Sequence, residues 1–276
     1  MGAKWLYQLR SSPGQQTSTL HLYDRFESLG AKKTCKWKTQ TSLYKKHADK
    51  HTHAGAAADK GSSDVYMVQF PTDVPDKCYL VVRQGDEDRV MEAGSGMNSI
   101  WAVMNGSNSA QPLFDQRMTL TVEGWAYRLG DFVMRVGSVV IRAHMGQGGE
   151  RASRQDVFKG AVLEVEYLAS ADRNDSLYLV SEIVDVYSQP DGPTAVPVSG
   201  WRPIDPKHIT PSVGLGGSNS LHWMGRTKEY TNEHRAQQYV ALFHTVVRSS
   251  SASEPPGGSG MQQQQDAQGH AAMSPG

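Results

Sequence analysis

Two glutamates one residue apart, Glu164 and Glu166, are the strongest candidates for chemistry in this chain of 276 residues. In a strand, residues two apart project to the same side. Both carboxylates therefore face one way, while Ala161, Leu163, Val165 and Tyr167 form an apolar reverse side. Paired glutamates inside a barrel can hold a divalent cation for phosphoryl chemistry, as in tunnel-type triphosphatases, whose strands read Glu-x-Glu-x-Lys. Here Leu168 stands where that pattern has lysine, and the other long strands supply no second Glu-x-Glu. The pattern favours a solvated or salt-bridged strand face, with a metal-dependent RNA triphosphatase as the alternative.

His47, His51 and His53 form a second cluster. On a helix His47 and His51 would share a face, and imidazoles bind zinc or copper. The Ala, Asp, Lys and Gly residues around them supply no rigid support, so the segment reads as a polar loop. Ser42-Leu-Tyr-Lys45 fits a Ser-x-x-Lys spacing without its companion motifs. Gly214-Leu-Gly216-Gly217-Ser218 lacks the lysine and preceding strand of a phosphate loop, and no Gly-x-Ser-x-Gly elbow occurs. The Trp and Tyr residues read as core aromatics rather than stacking platforms for bases. No catalytic residue, cofactor or metal site is assigned, and a non-enzyme is expected.

The element that would carry Glu164 and Glu166 is a strand over 158–168, and the clearest of its companions is a hairpin at Gly130-Asp131. That dipeptide between alternating runs is a two-residue turn signal. The register it dictates sets Leu129 against Phe132, Tyr127 against Met134 and Trp125 against Val136, three apolar pairs on one side. Such pairs contribute roughly 0.2–1 kcal/mol each. The opposite side sets Arg128 against Val133 and Ala126 against Arg135, a mixed and less buried face. Upstream, the apolar positions Met118, Leu120 and Val122 are even, whereas Trp125, Tyr127 and Leu129 are odd. A change of parity at Gly124 predicts a β-bulge and a bent strand suited to a barrel.

Further strands are expected at 3–9, around Cys35 and Trp37, and at 65–70, 79–83 and 89–93. Helical spacing predicts helices over 16–29 (Leu20, Tyr23, Phe26, Leu29), 174–187 and 232–248, with a short one near 97–104. Residues 45–63 and 142–156 read as loops. Adjacent strands joined by short turns favour an α+β fold, an antiparallel open β-barrel with flanking α-helices. The domain organisation expected is one barrel-like domain over 1–248, with loop insertions near 47–63 and 189–230, and a disordered Ser/Gly/Gln-rich tail at 249–276.

Composition narrows the function class. Lys plus Arg equals Asp plus Glu at 28 each, so the net charge is zero. General affinity for nucleic acid needs a basic excess or stripe, and no direct nucleic-acid partner is expected. The mean hydropathy of −0.52 indicates a core diluted by polar loops. Two cysteines, Cys35 and Cys78, make neither a disulfide framework nor a zinc cage, which suits a reduced cytosolic or nuclear protein. The first residues lack the long apolar stretch of a secretory signal. Met-Gly opens a myristoylation pattern that Leu6 departs from, and no run of 18 apolar residues suggests a membrane span.

Several blocks carry a family resemblance. They are Lys4-Trp5-Leu6, Trp37-Lys38 with Leu43-Tyr44-Lys45, and Tyr127-Arg-Leu-Gly-Asp131-Phe132 continuing into Arg135-Val-Gly137. Lys159-Gly160 then leads to Val162-Leu-Glu-Val-Glu-Tyr-Leu168, and Ala236-Gln-Gln-Tyr239 with Leu242 comes last. In this order they resemble subunit 20 of the Mediator complex, especially its plant and algal forms. The resemblance implies an open antiparallel barrel in the Mediator head, paired with subunit 18 and tethered through the C-terminal helix of subunit 8. It further implies a non-catalytic coregulator in the nucleus, linking gene-specific regulators to RNA polymerase II among other head subunits. The mixed hairpin face with Arg128 and Arg135 is the expected partner interface. The 47–63 loop, the 189–230 insertion and the Gln-rich tail depart from the family.

Overall fold

The Gly130-Asp131 turn closes its hairpin in the expected register, with Leu129 opposite Phe132, Tyr127 opposite Met134 and Trp125 opposite Val136. Gly130 takes φ +55°, a left-handed conformation that glycine adopts without a Cβ penalty. The computed structural model describes residues 2–9, 19–46, 64–84, 87–105, 113–144, 156–188, 201–204 and 230–251. The hairpin strands are β6 (Phe114–Leu129) and β7 (Phe132–Ala143). Before them come β1 (Ala3–Leu9), α1 (Thr19–Ser28), β2 (Lys32–Lys46), β3 (Asp64–Phe70), β4 (Val74–Gln84), β5 (Glu87–Gly94) and α2 (Gly96–Asn105). After them come β8 (Asp156–Tyr167), α3 (Arg173–Ser188), the short β9 (Trp201–Pro203) and α4 (Asn232–Ser251).

The strands form one antiparallel sheet in the order β5-β4-β3-β2-β6-β7-β8-β1-β9. Among the described residues β5 and β9 are its two edges, so the sheet is open rather than closed into a barrel. The strand expected around Cys35 and Trp37 runs on through Leu43 and Tyr44 as the 15-residue β2, which takes Lys45 and Lys46 out of the expected loop. The last helix continues to Ser251, so positions 249–251 belong to it and not to the tail. The rest of that tail, and His47, His51, His53 and Gly214–Ser218, lie outside the described residues.

The parity change along β6 is real, but its cause is not a bulge. The β6–β7 register runs unbroken from Met118–Ala143 to Leu129–Phe132, with Gly124 opposite Gly137. Irregularities fall elsewhere, at Lys33/Cys35, Leu43/Tyr44, Gln69/Phe70 and Ser138/Val140. What changes at Gly124 is the covered face. Even-numbered Leu120 and Val122 pack under α4, while odd-numbered Tyr127 packs on the opposite side under α1 and α3, with Trp125 and Leu129 beside it. The glycine pair lets the two strands approach closely at this crossover. A Cβ on Gly124 would lie 2.0 Å from the Val136 carbonyl oxygen and 2.5 Å from the Gly137 Cα.

The sheet thus has two cores, one on each face. Under α4 lie Trp37, Tyr66, Phe70, Tyr79, Val139 and Ile141 with Tyr239, Leu242, Phe243 and Val246 of the helix. On the reverse, Trp5, Tyr7, Leu163 and Val165 pack against Leu22 and Phe26 of α1 and Val180, Val184 and Tyr187 of α3. Phe26 stacks on Tyr187 at 4.4 Å and on Tyr127 at 5.3 Å between ring centroids. Cys35 is exposed on β2 and Cys78 buried on β4, both as free thiols. No described helix is long and apolar enough to cross a membrane.

Candidate functional site

Glu164 and Glu166 project to one side of β8, as their spacing requires, and Ala161, Leu163 and Val165 fill the core on the other. The carboxylates face α4 and are buried, at 1% and 5% exposure. Pairing of β8 sets Glu164 opposite Arg135 of β7 and Glu166 opposite Lys4 of β1. The sheet register alone therefore brings two cations and two carboxylates onto one patch. The next turn of structure completes it: Arg235, in the first turns of α4, is 0% exposed and reaches down onto the same patch.

The contacts are close and charge-assisted. Arg235 Nε and Nη2 donate to the two oxygens of Glu164 at 2.7 and 2.8 Å, and Nη2 also donates to Asp73 Oδ2 at 2.6 Å. Arg135 Nη1 bridges Glu164 Oε1 and Glu166 Oε2, each at 2.9 Å, with its Nε 3.5 Å from Asp73. Lys4 Nζ lies 3.3 Å from Glu166, and the Tyr239 hydroxyl donates to Glu164 Oε2 at 3.1 Å. The Arg235 guanidinium sits 4.1 Å above the Phe70 ring, a cation–π arrangement. Lys4, Arg135 and Arg235 balance Asp73, Glu164 and Glu166, so the ionised cluster is neutral.

Electrostatics agree with this geometry. Burial pushes the Glu164 carboxyl up, but the charges of Arg235, Arg135 and Lys4 outweigh it and hold the group at about 2. Burial, with the neighbouring Arg235 charge, lowers Lys4 to about 8. Burial also opposes the charge of Arg235, yet Glu164 and Asp73 raise it above the ordinary arginine value. Burial and the Glu164 charge raise the Tyr239 hydroxyl well above its ordinary value.

Removing two ions from water costs several kcal/mol each, which good geometry and additional hydrogen bonds must offset. Fork-like Arg–carboxylate pairing supplies both direction and strength. The arrangement thus fixes the position of α4 on the sheet. The salt-bridged reading of the glutamate pair holds, and the solvated one does not. Among the described residues, no group of three His, Cys, Asp or Glu is placed to hold a metal ion.

The remaining sequence candidates separate in space. Arg135 belongs to the buried cluster, whereas Arg128 is exposed and its Nε donates to the Gly130 carbonyl at 3.2 Å. The hairpin face that carries them is therefore not one surface. Ser42 lies against Thr119 at 3.4 Å and Lys45 pairs with Asp64 at 3.5 Å, so they do not form a Ser–Lys pair. Arg235 and Asp73 escaped the sequence reading. The available signal was the four-residue spacing of Arg235 and Tyr239, which puts a guanidinium and a phenol on the buried face of the last helix.

The sequence matches the family described as TATA-binding related factor (TRF) of subunit 20 of Mediator complex over residues 1–244. Mediator of RNA polymerase II transcription subunit 20b of Arabidopsis thaliana is 26% identical over 255 residues, covering 91% of this chain and 99% of that protein. Among solved structures, the PH1012 protein from Pyrococcus horikoshii OT3 overlaps with a TM-score of 0.35 at 12% identity, over 68% of this chain and 90% of that one. A chain of the Schizosaccharomyces pombe Mediator head module overlaps at 0.28 and 10% identity, over 66% and 89%. These two overlaps carry no part of the assignment. With Lys4, Asp73, Arg135, Glu164, Glu166 and Arg235 all inside the matched region, the chain belongs to the family of subunit 20 of the Mediator complex.

Proposed function

We propose that this Mediator subunit works without catalysis, in the head of the complex and in the nucleus, as a rigid surface-presenting scaffold paired with subunit 18. The C-terminal helix of subunit 8 tethers that pair, and the open sheet curves as a barrel-like platform for them. The observation that carries the reading is the family match across residues 1–244. The geometry supports it, because Glu164 is the counter-charge that docks Arg235 of α4 and Glu166 is paired with Lys4 and Arg135 of the sheet, so both carboxylates have structural roles.

Arg128, exposed at the hairpin tip, is the part of the expected interface that a partner can reach. The test is affinity purification of the tagged chain from nuclear extract, read by mass spectrometry. Subunits 18 and 8 should be recovered, and Arg128→Glu should reduce their yield. Recovery of the chain without Mediator subunits would overturn the function. Undiminished yield with Arg128→Glu would remove that residue from the interface. Arg135 is unsuitable for this test, because reversing its charge would break the buried cluster.

A further inference from the structure

On the sheet face opposite α4, beside the core under α1 and α3, lies a cleft of about 380 Å³ between α2 and strands β2, β3 and β6. Gln40, Gln69 and Gln116 line it from the sheet and Asn98, Trp101 and Asn105 from the helix. Among the described residues, none in its lining is charged, and α2 itself contains no Lys, Arg, Asp or Glu.

Some of these groups are already engaged. Asn105 donates to the Trp101 carbonyl and accepts from the Phe114 backbone N–H, and Gln116 donates to Ser42 and Thr119. These bonds fix the walls. Two buried atoms on the helix wall, the Asn98 Oδ1 acceptor and the Trp101 Nε1 donor, have no hydrogen-bond partner among the described residues. Buried polar atoms are seldom left so. The outer face of α2 adds Ile100, Val103 and Met104, at 55%, 77% and 38% exposure, and the neighbouring Leu113 is 53% exposed.

We propose that this cleft binds an uncharged peptide segment of another Mediator subunit. A peptide group or side-chain carboxamide offers both the donor that Asn98 Oδ1 lacks and the acceptor that Trp101 Nε1 lacks. Apolar side chains on the same segment cover Ile100, Val103, Met104 and Leu113, a concentration of exposed apolar residues of the kind that marks interaction sites. Charge selects against the alternatives. A nucleic acid would bring a phosphate per nucleotide to a cleft with no Lys or Arg among its described residues, and a charged peptide would lose hydration there without gaining a counter-ion from them. The inference rests on the proposed membership of an assembled complex and extends it to a second contact, away from the Arg128 hairpin.

The experiment uses the whole purified Mediator complex with Ala102→p-benzoylphenylalanine, since Ala102 lines the cleft and is exposed. Irradiation should yield one adduct, to an uncharged segment of another subunit. Gln69→Arg, which puts a cation in the cleft, should lower its yield at least tenfold. Trp101→Phe, which removes the donor and keeps a ring beside Tyr44 and Phe114, should lower it about threefold. Both variants should enter the complex with unchanged recovery of the other subunits. An intact complex that gives no adduct, an adduct to nucleic acid, to a charged segment or to a second copy of this chain, or an adduct insensitive to both substitutions would overturn the proposal. Failure of the unsubstituted chain to co-purify with Mediator is a different result, and it would sink the proposed function along with the cleft.

Discussion

The two faces of the sheet are held by different physics, although the same strands build both. From β1, Ala3, Trp5, Tyr7 and Leu9 enter the core under α1 and α3, while Lys4, Leu6 and Gln8 turn toward α4. From β8, Leu163 and Val165 go one way and Glu164 and Glu166 the other. The first core is held by apolar area and stacked rings, which are tolerant of small shifts because burial is non-directional. The second adds ion pairs with fixed donor and acceptor geometry. A helix docked only by burial can slide by a fraction of a turn at little cost. A helix docked by an Arg–carboxylate fork cannot, because displacement strands charge out of water.

That difference is tested most severely by Arg235→Met, which preserves side-chain length and removes the charge. Glu164 and Asp73 would then face one guanidinium fewer. Breaking a buried pair by removing one partner costs about 3–5 kcal/mol, and denaturant midpoints should show a loss of that size. A loss under about 1 kcal/mol would mean that the cluster contributes no more than an exposed ion pair.

Two phenol truncations, one on each face, sharpen the contrast. Tyr239→Phe removes the hydroxyl that donates to Glu164, and hydrogen bonds to charged groups are worth about 1.5–3 kcal/mol. Tyr187→Phe removes a buried hydroxyl with no hydrogen-bond partner among the described residues. Deleting such a group is near neutral or stabilising, about 0–1 kcal/mol in favour of the variant. Equal losses from both substitutions, read by the same unfolding titration, would erase the distinction between the faces.

The two cores were unequally legible in the sequence, and the reason is locality. Gly130-Asp131 fixed its hairpin register because the turn and its flanking pairs are neighbours in the chain. The odd positions of 161–167 marked a buried strand side because alternation is a local pattern. The parity change at Gly124 was also visible, but periodicity records which side chains are apolar and not which face is covered. A switch of cover from α4 to α1 and α3 therefore looked like a bulge. The charge cluster was only half visible. Glu164 and Glu166 share a side by spacing alone, yet their partners lie 29 and 71 residues from Glu164 along the chain. No local rule selects Arg135 and Arg235 from the other cations. Arg135, read as part of a partly exposed face, is buried because α4 covers the side of β7 on which it lies.

The smallest effect separates the faces by pH. On the acid side, Glu164 is held at about 2 against an ordinary 4.5. The unfolded chain takes up this proton first, so the stabilisation is present above pH 4.5 and fades as pH falls toward 2. Lys4 works in the opposite sense to a lysine that gains from its partner. Burial and Arg235 lower it to about 8 from 10.5, so between these values the unfolded chain binds more protons than the folded one. Stability linked to Lys4 must therefore rise from pH 8 to pH 10.5, because the folded state sheds a charge that it holds at a penalty. Tyrosine and thiol ionisation overlap this window, so the informative quantity is a difference. The unfolding free energy of the wild type minus that of Lys4→Met should climb across pH 8–10.5 and stay flat from pH 6 to 7. The same subtraction with Tyr187→Phe should show no such climb. A flat Lys4 difference would mean that the amine remains hydrated, and that the charge cluster is sealed from water only as far as Arg135 and Arg235.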